Sequence, residues 1–208
     1  VGRFHWYSST GWVMWNAQVA GLLSGTTCVI FDGNPAQPDW TALWRFASET
    51  GVTYFGAGAA FYANCMKAGI DLTACGDLSA IRALGTTGSP LSPEAQNWGT
   101  EQFRRIARTA AQEDVSAAGP PQGAKAPLVG SDPHAMGERG GDIWWCNISG
   151  GTDFCGAFIG GNRELPQEPG VMQCRVVGTM RRDYYHLTGD HDGLRARLAA
   201  DNSRARYL

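Results

Sequence analysis

Asp39-Trp40-Thr41-Ala42-Leu43-Trp44-Arg45-Phe46-Ala47-Ser48-Glu49-Thr50-Gly51-Val52-Thr53-Tyr54-Phe55 decides the fold class. Asp39 offers an N-cap carboxylate for a helix over Trp40–Thr50. Trp40, Leu43, Trp44, Phe46 and Ala47 fall on one face of that helix. Gly51 supplies the left-handed stop, and Val52–Phe55 is β-prone. Upstream, Thr27–Phe31 is a continuous apolar run, read as a strand covered on both faces. Asp32-Gly33-Asn34-Pro35 after it is turn chemistry. Further back, Phe4–Tyr7 reads as a strand, and Ser8, Ser9 and Thr10 as cap hydroxyls. Trp12, Trp15, Val19, Leu22 and Leu23 then recur at helical spacing up to Gly25. Downstream come a helix over Ala59–Ala68, stopped by Gly69, and a strand over Ile81–Gly85. Strands alternating with helices predict an α/β fold, mainly a parallel sheet with helices on both faces.

The grammar changes near Trp98. Thr100–Glu113 reads as an amphipathic helix, with Phe103, Ile106, Ala107 and Ala110 on one side. Residues 114–141 are rich in Gly and Pro without periodicity and read as linker. Order is expected to resume with strands over Ile143–Ile148, Phe154–Ile159 and Met172–Val177, and Asp192–Ala200 reads as a short helix. Four segments result: 1–98, 99–141 (a poorly ordered insertion), 142–178 and 179–208.

With 208 residues the chain can hold one full core, or one core plus a small appendage. Its 17 Lys+Arg against 19 Asp+Glu give a net charge of -2, which argues against a nucleic-acid surface. A hydrophobic content of 43% is too high for a wholly disordered chain. No apolar run reaches the ~18 residues that span a bilayer; the longest, Val13–Leu23, is broken by Asn16 and Gln18. The opening Val-Gly-Arg-Phe-His-Trp has no targeting grammar, and without an initiator Met the sequence is read as starting mid-protein. None of the six cysteines forms a C-x-x-C pair. They are read as buried, reduced thiols of a cytoplasmic protein rather than a zinc site or disulfide framework.

Two loops carry candidate chemistry. Gly85-Thr86-Thr87-Gly88-Ser89-Pro90 and Ser149-Gly150-Gly151-Thr152-Asp153 each follow a predicted strand. Carboxyl ends of strands are where open α/β sheets bind ligands. Glycines let backbone N–H groups approach an anion, and the hydroxyls add donors. Asp153 adds a hard oxygen suited to Mg2+. Taken singly, each loop reads as turn-forming residues; together they point to a nucleotide site. Gly56-Ala57-Gly58-Ala59-Ala60-Phe61 is part of a dinucleotide fingerprint, but Phe61 replaces the third glycine. Asp77-Leu78-Ser79 reads as a helix cap, not the acid ending a second strand. A plain strand-to-helix turn is the reading adopted at Gly56. Trp12, Trp15, Trp40 and Trp44 are assigned to core packing, and Trp6, at a strand end, to a pocket wall. His186, Asp190, His191 and Asp192 are read as a solvated loop; His5 and His134 have no evident partner. No nucleophile elbow, Walker loop or His-Glu-x-x-His zinc motif is present.

Phe4-His5-Trp6-Tyr7-Ser8-Ser9-Thr10-Gly11-Trp12-Val13-Met14-Trp15-Asn16 resembles a mid-domain segment of acetoacetyl-CoA synthetases, members of the adenylate-forming acyl-CoA synthetase superfamily. So do Asp32-Gly33-Asn34-Pro35, Gly85 through Glu94, Asn147 through Asp153, and the run from Gly160 to Arg175. The resemblance covers residues 1–98 and 142–178. It implies activation of a carboxylate by ATP to an acyl-adenylate and pyrophosphate, after which the CoA thiol displaces AMP. ATP, Mg2+ and CoA are then the cofactors and co-substrates, acetoacetate or a similar short acid the partner molecule, and neither nucleic acid nor membrane is expected. By the same resemblance Gly88, Ser89 and Pro90 line adenine. Ser149, Gly150, Gly151 and Thr152 form the signature loop on the phosphates, and Asp153, where the family usually has Glu, holds Mg2+. Thr152 and Asp153 are the catalytic candidates. Trp6, Ser8, Ser9 and Trp12 match the border of the acyl and pantetheine tunnel.

Departures from the family pattern are equally plain. Its Ser/Thr/Gly-rich phosphate loop with a lysine and its small C-terminal domain have no counterpart here. Thr188-Gly189-Asp190 mimics a ribose-binding motif but follows Asp153 too closely, and is read as coincidence. The chain is therefore expected to be an internal fragment of the large domain of an acetoacetate–CoA ligase. Another short-chain acyl-CoA synthetase, a non-catalytic nucleotide-binding module and, on Gly56 and Gly58, a dinucleotide oxidoreductase are the alternatives.

Overall fold

The computed structural model describes residues 2–117 and 142–176. Of the linker expected over 114–141, residues 114–117 are instead the last turn of the helix that starts at Pro93. Its remainder, 118–141, and everything predicted for 177–208, including His186, Asp190 and the helix over Asp192–Ala200, lie outside the described residues. Along the chain run β1 (Arg3–Trp6), α1 (Val13–Ala20), β2 (Thr27–Cys28), α2 (Ala42–Thr50), β3 (Tyr54–Gly58), α3 (Ala59–Lys67), β4 (Ala83–Thr87), α4 (Pro93–Ala117) and β5 (Trp144–Asn147). Three short strands follow: β6 (Ser149–Gly151), β7 (Gly156–Gly160) and β8 (Cys174–Arg175). The first five strands form one parallel sheet in the order β2-β1-β3-β4-β5, and the last three an antiparallel sheet, β6-β7-β8. The α/β class with a mainly parallel sheet is as the sequence predicts. Since β1 leads outward to β2 and the chain then returns to β3, right-handed crossovers place α1 on the sheet face opposite the other helices.

The core sits under α2, α3 and α4. Trp44 is fully buried and stacks on Phe55 with ring centroids 4.3 Å apart. Phe61, Tyr62 and Phe103 close around the same indole, and the Tyr62 hydroxyl donates to the Gly85 carbonyl at 2.9 Å. Gly99 lets α4 lie against β5, because a Cβ there would come 2.6 Å from Trp145. This is the helix stripe read from Leu43, Trp44 and Ala47, all buried, with Gly51 left-handed at φ 61°.

Several expectations are corrected. In α1 the buried residues are Met14 and Gln18; Trp12 and Leu22 are more than half exposed, and Leu23 is 94% exposed. The predicted stripe is thus the outer face. Gln18 faces inward because its Oε1 accepts the Trp6 N–H. The run Thr27–Phe31 gives only the two-residue β2, at the sheet edge, and Ile30 is exposed. Asp39 caps no helix: it accepts from Thr41 in a turn ahead of α2. Asp77 likewise accepts from the Ser79 N–H in a turn with no helix after it. The helix expected at Thr100 begins at Pro93, and Ser92 Oγ caps it by accepting from the Ala95 N–H at 3.2 Å. Pro at the first helical position and a hydroxyl just before it are the usual start signal. Trp6 lines no open space: it is 4% exposed, with its ring lying over Gly56 and Gly85.

Candidate nucleotide cleft

β4 and β5 run side by side with Thr86 opposite Asn147, and their ladder continues as the Ile148 N–H donates to the Thr86 carbonyl at 2.8 Å. Beyond this point the two strands part. β4 turns at Gly88, whose φ of 91° suits glycine, and passes through Ser89 and Pro90 to α4. β5 passes through Ile148 into the hairpin β6–β7. Between them lies a cleft of about 190 Å3 lined by Thr87, Gly88, Ser89, Pro90, Ile148, Ser149, Gly150 and Met172. The two loops singled out in the sequence therefore form opposite walls of one cleft at the carboxyl ends of parallel strands. Met172, which the sequence placed in a strand, forms a further wall.

The second loop is not a loop. Ser149–Gly151 pairs antiparallel with Gly156–Ile159, so the glycines are strand residues. A Cβ on Gly150 would come 2.9 Å from the Ala157 Cα, so the close approach of β7 needs glycine there. Thr152, Asp153, Phe154 and Cys155 make the hairpin turn, closed by the Cys155 N–H on the Thr152 carbonyl at 3.1 Å. Thr152 and Asp153 are exposed and outside the lining of the cleft. Thr152 Oγ1 instead accepts the Val13 N–H at 3.1 Å, at the first residue of α1. That bond brings the hairpin tip beside Trp12. Ser9 accepts the Trp12 N–H through its carbonyl at 3.1 Å and is exposed, while Ser8 is half-buried. Ser8, Ser9, Trp12 and Thr152 thus share one edge of the molecule; Trp6 does not join them.

Beneath the cleft the floor is polar and buried. Thr86 and Asn147 are buried, and Thr86 Oγ1 and Asn147 Oδ1 have no hydrogen-bond partner among the described residues. Gln96, on the first turns of α4 and 1% exposed, meets Asn147 Nδ2 at 3.2 Å and the Gly170 N–H at 3.0 Å, both through Oε1. Sequence reasoning passed over Gln96; its one visible signal is a polar side chain between the buried Ala95 and the Trp98–Gly99 contact side of the helix. Among the described residues no three His, Cys, Asp or Glu gather into a metal cluster. Asp153 is a single exposed carboxylate, a donor set that suits an Mg2+ ion taking its other ligands from phosphate and water. All six cysteines are free, and no helix among the described residues is long and apolar enough to cross a membrane.

A doubly wound parallel sheet carrying a cleft at its strand ends, with a Gly-rich hairpin on one wall, matches the α/β architecture of an adenylate-forming enzyme domain. Within that class the chain is similar to acetoacetyl-CoA synthetases. It is 28% identical to that of Danio rerio over 173 residues, covering 83% of this chain and 20% of the relative. The relative from Rhizobium meliloti is 29% identical over 176 residues, 85% of this chain and 22% of its own length. The one from Caenorhabditis elegans is 29% identical over 185 residues, covering 89% and 21%. Among solved structures, the acetoacetyl-CoA synthetase from Streptomyces lividans matches with a TM-score of 0.63 and 39% identity, over 85% of this chain and 22% of that one. The chain thus spans about a fifth of the length of the proteins it matches. No family model matches it.

Proposed function

We propose that this chain is the nucleotide-cleft segment of an acetoacetate–CoA ligase, in which ATP, acetoacetate and CoA give acetoacetyl-CoA, AMP and diphosphate through an acyl-adenylate. The observation that carries the reading is the convergence of Gly88-Ser89-Pro90 and Ser149-Gly150 on one cleft. The likeness to acetoacetyl-CoA synthetases supports the same assignment. In this reading the first wall takes the adenine face. The Gly-rich hairpin, through Ser149, Gly150, Gly151 and Thr152, takes the phosphates. Asp153 holds Mg2+, which when bound offsets phosphate charge. Ser8, Ser9 and Trp12 border the acyl and thiol side, and Trp6 acts from beneath by packing the sheet that carries them. The reaction is placed in the cytoplasm, in keeping with six free thiols.

Calorimetric titration of the chain with ATP and Mg2+ tests the binding half. Saturable binding that disappears in Ser89→Trp, which fills the cleft, is expected; binding that is absent, or indifferent to that change, overturns the reading. Pyrophosphate release with CoA and either acetoacetate or butyrate tests the reaction. Preference for butyrate would assign the segment to another short-chain acyl-CoA synthetase, and ATP binding without release to a nucleotide-binding fragment.

A further inference from the structure

Three segments that wall the cleft meet at one buried atom, Gln96 Oε1. The segment carrying Gly88, Ser89 and Pro90 continues through Ser92 into α4, where the Gln96 N–H donates to the Ser92 carbonyl at 3.0 Å. The segment carrying Ile148, Ser149 and Gly150 begins at Asn147, whose Nδ2 donates to Gln96 Oε1. The segment carrying Met172 follows Gly170, whose N–H donates to the same oxygen. Gly170 is held close: its φ is 77°, and a Cβ there would come 2.8 Å from Pro93 on the first turn of α4. The amide orientations follow without choice. A main-chain N–H can only donate, so the Gln96 atom that Gly170 meets is oxygen; the Asn147 atom meeting that oxygen is then nitrogen. Among the described residues Asn147 Oδ1 is thereby left as the unpaired end of its carboxamide.

We propose that Gln96 is a positioning residue for the cleft: its side-chain oxygen, by accepting from Asn147 and Gly170 at once, fixes the spacing of the cleft's three walls and the orientation of the Asn147 carboxamide. This rests on the nucleotide reading of the cleft. Gln96 is not itself among the residues that line the cleft. Its effect is exerted through Asn147, one residue before Ile148, and through Gly170, two residues before Met172. A buried neutral acceptor with two donors on separate segments is costly to leave unmade, so the three walls move together or not at all.

The test compares the whole chain with Gln96→Met, which keeps the length of the side chain but accepts nothing comparable, and Gln96→Glu, which keeps an accepting oxygen in either protonation state. The readouts are ATP affinity by titration and hydrogen exchange at the Gly170 amide, with Phe55 and Leu84 in the central strands as controls. Q96M is expected to weaken ATP binding roughly tenfold and to speed Gly170 exchange by at least about tenfold, with the controls unmoved. Q96E is expected to restore both. Gln96→Asn, which draws the same amide back by one methylene, serves if Q96M does not fold, and is expected to show the same losses. Equal ATP affinity in wild type and Q96M, or Q96E as impaired as Q96M, overturns the proposal while leaving the nucleotide reading intact. A wild-type chain that binds no ATP overturns the nucleotide reading and the positioning role with it; Gly170 exchange then reports separately on the hydrogen bond.

Discussion

The indole of Trp6 on β1 fills the space in which residue 85, two strands away on β4, would carry a Cβ; Gly56 on the intervening β3 lies under the same ring. The three residues share one face of the sheet, in register, and the large one is accommodated only because the other two are glycine. Gly56 and Gly58 look alike in the sequence but differ in this respect. The nearest atom to a Cβ on Gly58 is the Thr87 carbonyl oxygen at 3.8 Å, ordinary contact.

Gly56→Ala and Gly85→Ala are therefore expected to destabilise the fold by about 1–3 kcal/mol each, the usual cost of overpacking a dense interior. Gly58→Ala is expected to change stability by less than about 1 kcal/mol, since a left-handed conformation is not required there. Urea unfolding of the three variants checks this. Equal losses at all three positions would mean that strand propensity, not Trp6, demands the glycines.

Much of this architecture is legible in the sequence where one residue type has one physical meaning. Leu43, Trp44 and Ala47 are buried, and Gly51 turns left-handed, because a stripe with a stop signal admits a single helix. The α1 stripe misleads for the opposite reason. Its periodicity is real, but periodicity separates two faces without saying which one meets the sheet. Gln18 decides it, through a bond to the Trp6 N–H that no pattern of hydropathy contains. The same blindness recurs. Gln102 accepts the Leu72 N–H at 2.9 Å, Gln167 the Trp145 N–H at 2.6 Å, and Gln173 the Asn162 N–H at 2.9 Å. These glutamines act as pieces of backbone, satisfying strand and loop donors that have no strand beside them. A sequence reading that treats Gln as surface overlooks every one. At the cleft, Gly88 to Pro90 and Ser149 to Gly150 were recoverable because glycine and hydroxyl clusters are rare enough to notice. That the second cluster is a hairpin was not recoverable, since glycine lowers β-propensity while permitting the close strand approach found here.

Ser92 joins the cleft wall to α4. Its Oγ accepts from the Ala95 N–H, and Pro93 and Glu94 complete the first turn. Ser92→Ala is expected to cost about 1 kcal/mol, and Ser92→Asp to be near neutral, because a carboxylate also accepts at an N-cap and favours the positive end of the helix. Thermal unfolding of both variants is the check. A Ser92→Ala protein as stable as the parent would show that Pro93 alone sets the helix start.

His5 gives the fold a dependence on pH. It is 1% exposed, with its ring 5.4 Å from Phe46 and 5.5 Å from Phe55. Nδ1–H donates to the Val29 carbonyl at 2.9 Å, leaving Nε2 buried and without a partner among the described residues. Burial disfavours the imidazolium and holds the pKa below the ordinary 6.5, against a smaller upward pull from the Val29 carbonyl. The unfolded chain then binds a proton more readily than the folded one. The stability contributed by neutral His5 is complete above pH 6.5 and drains away as pH falls below it, by at most ~1.4 kcal/mol per pH unit. Asp39, Asp71 and Asp77 are held below 3.8, chiefly by hydrogen bonds from Thr41, Thr73 and Ser79, so their contributions are lost only at lower pH. Subtracting the pH profile of His5→Phe from that of the parent isolates the effect. A difference that is flat from pH 7 to pH 5 would refute it.

Thr152 is bound to Val13 across 139 positions of sequence, by a hydroxyl oxygen that accepts one main-chain N–H. Val13 is the first residue of α1, and Trp12 before it is extended, at φ -113° and ψ 147°. A proline at position 13 is thus compatible with the helix start and with the residue preceding it, and it deletes the donor alone. Thr152→Val deletes the acceptor while preserving shape. Since Thr152 is exposed, each single loss is small, and proline also stiffens the unfolded chain. The informative quantity is their coupling. A double-mutant cycle of Val13→Pro and Thr152→Val in urea is expected to give an interaction of about 0.5–1 kcal/mol. Independent effects would mean that the hairpin tip does not hold the start of α1 in solution. If the coupling is found, the hydroxyl proton of Thr152 is left pointing away from Val13, because its oxygen is accepting there. The hairpin then presents that proton as a donor at the edge shared with Ser8, Ser9 and Trp12.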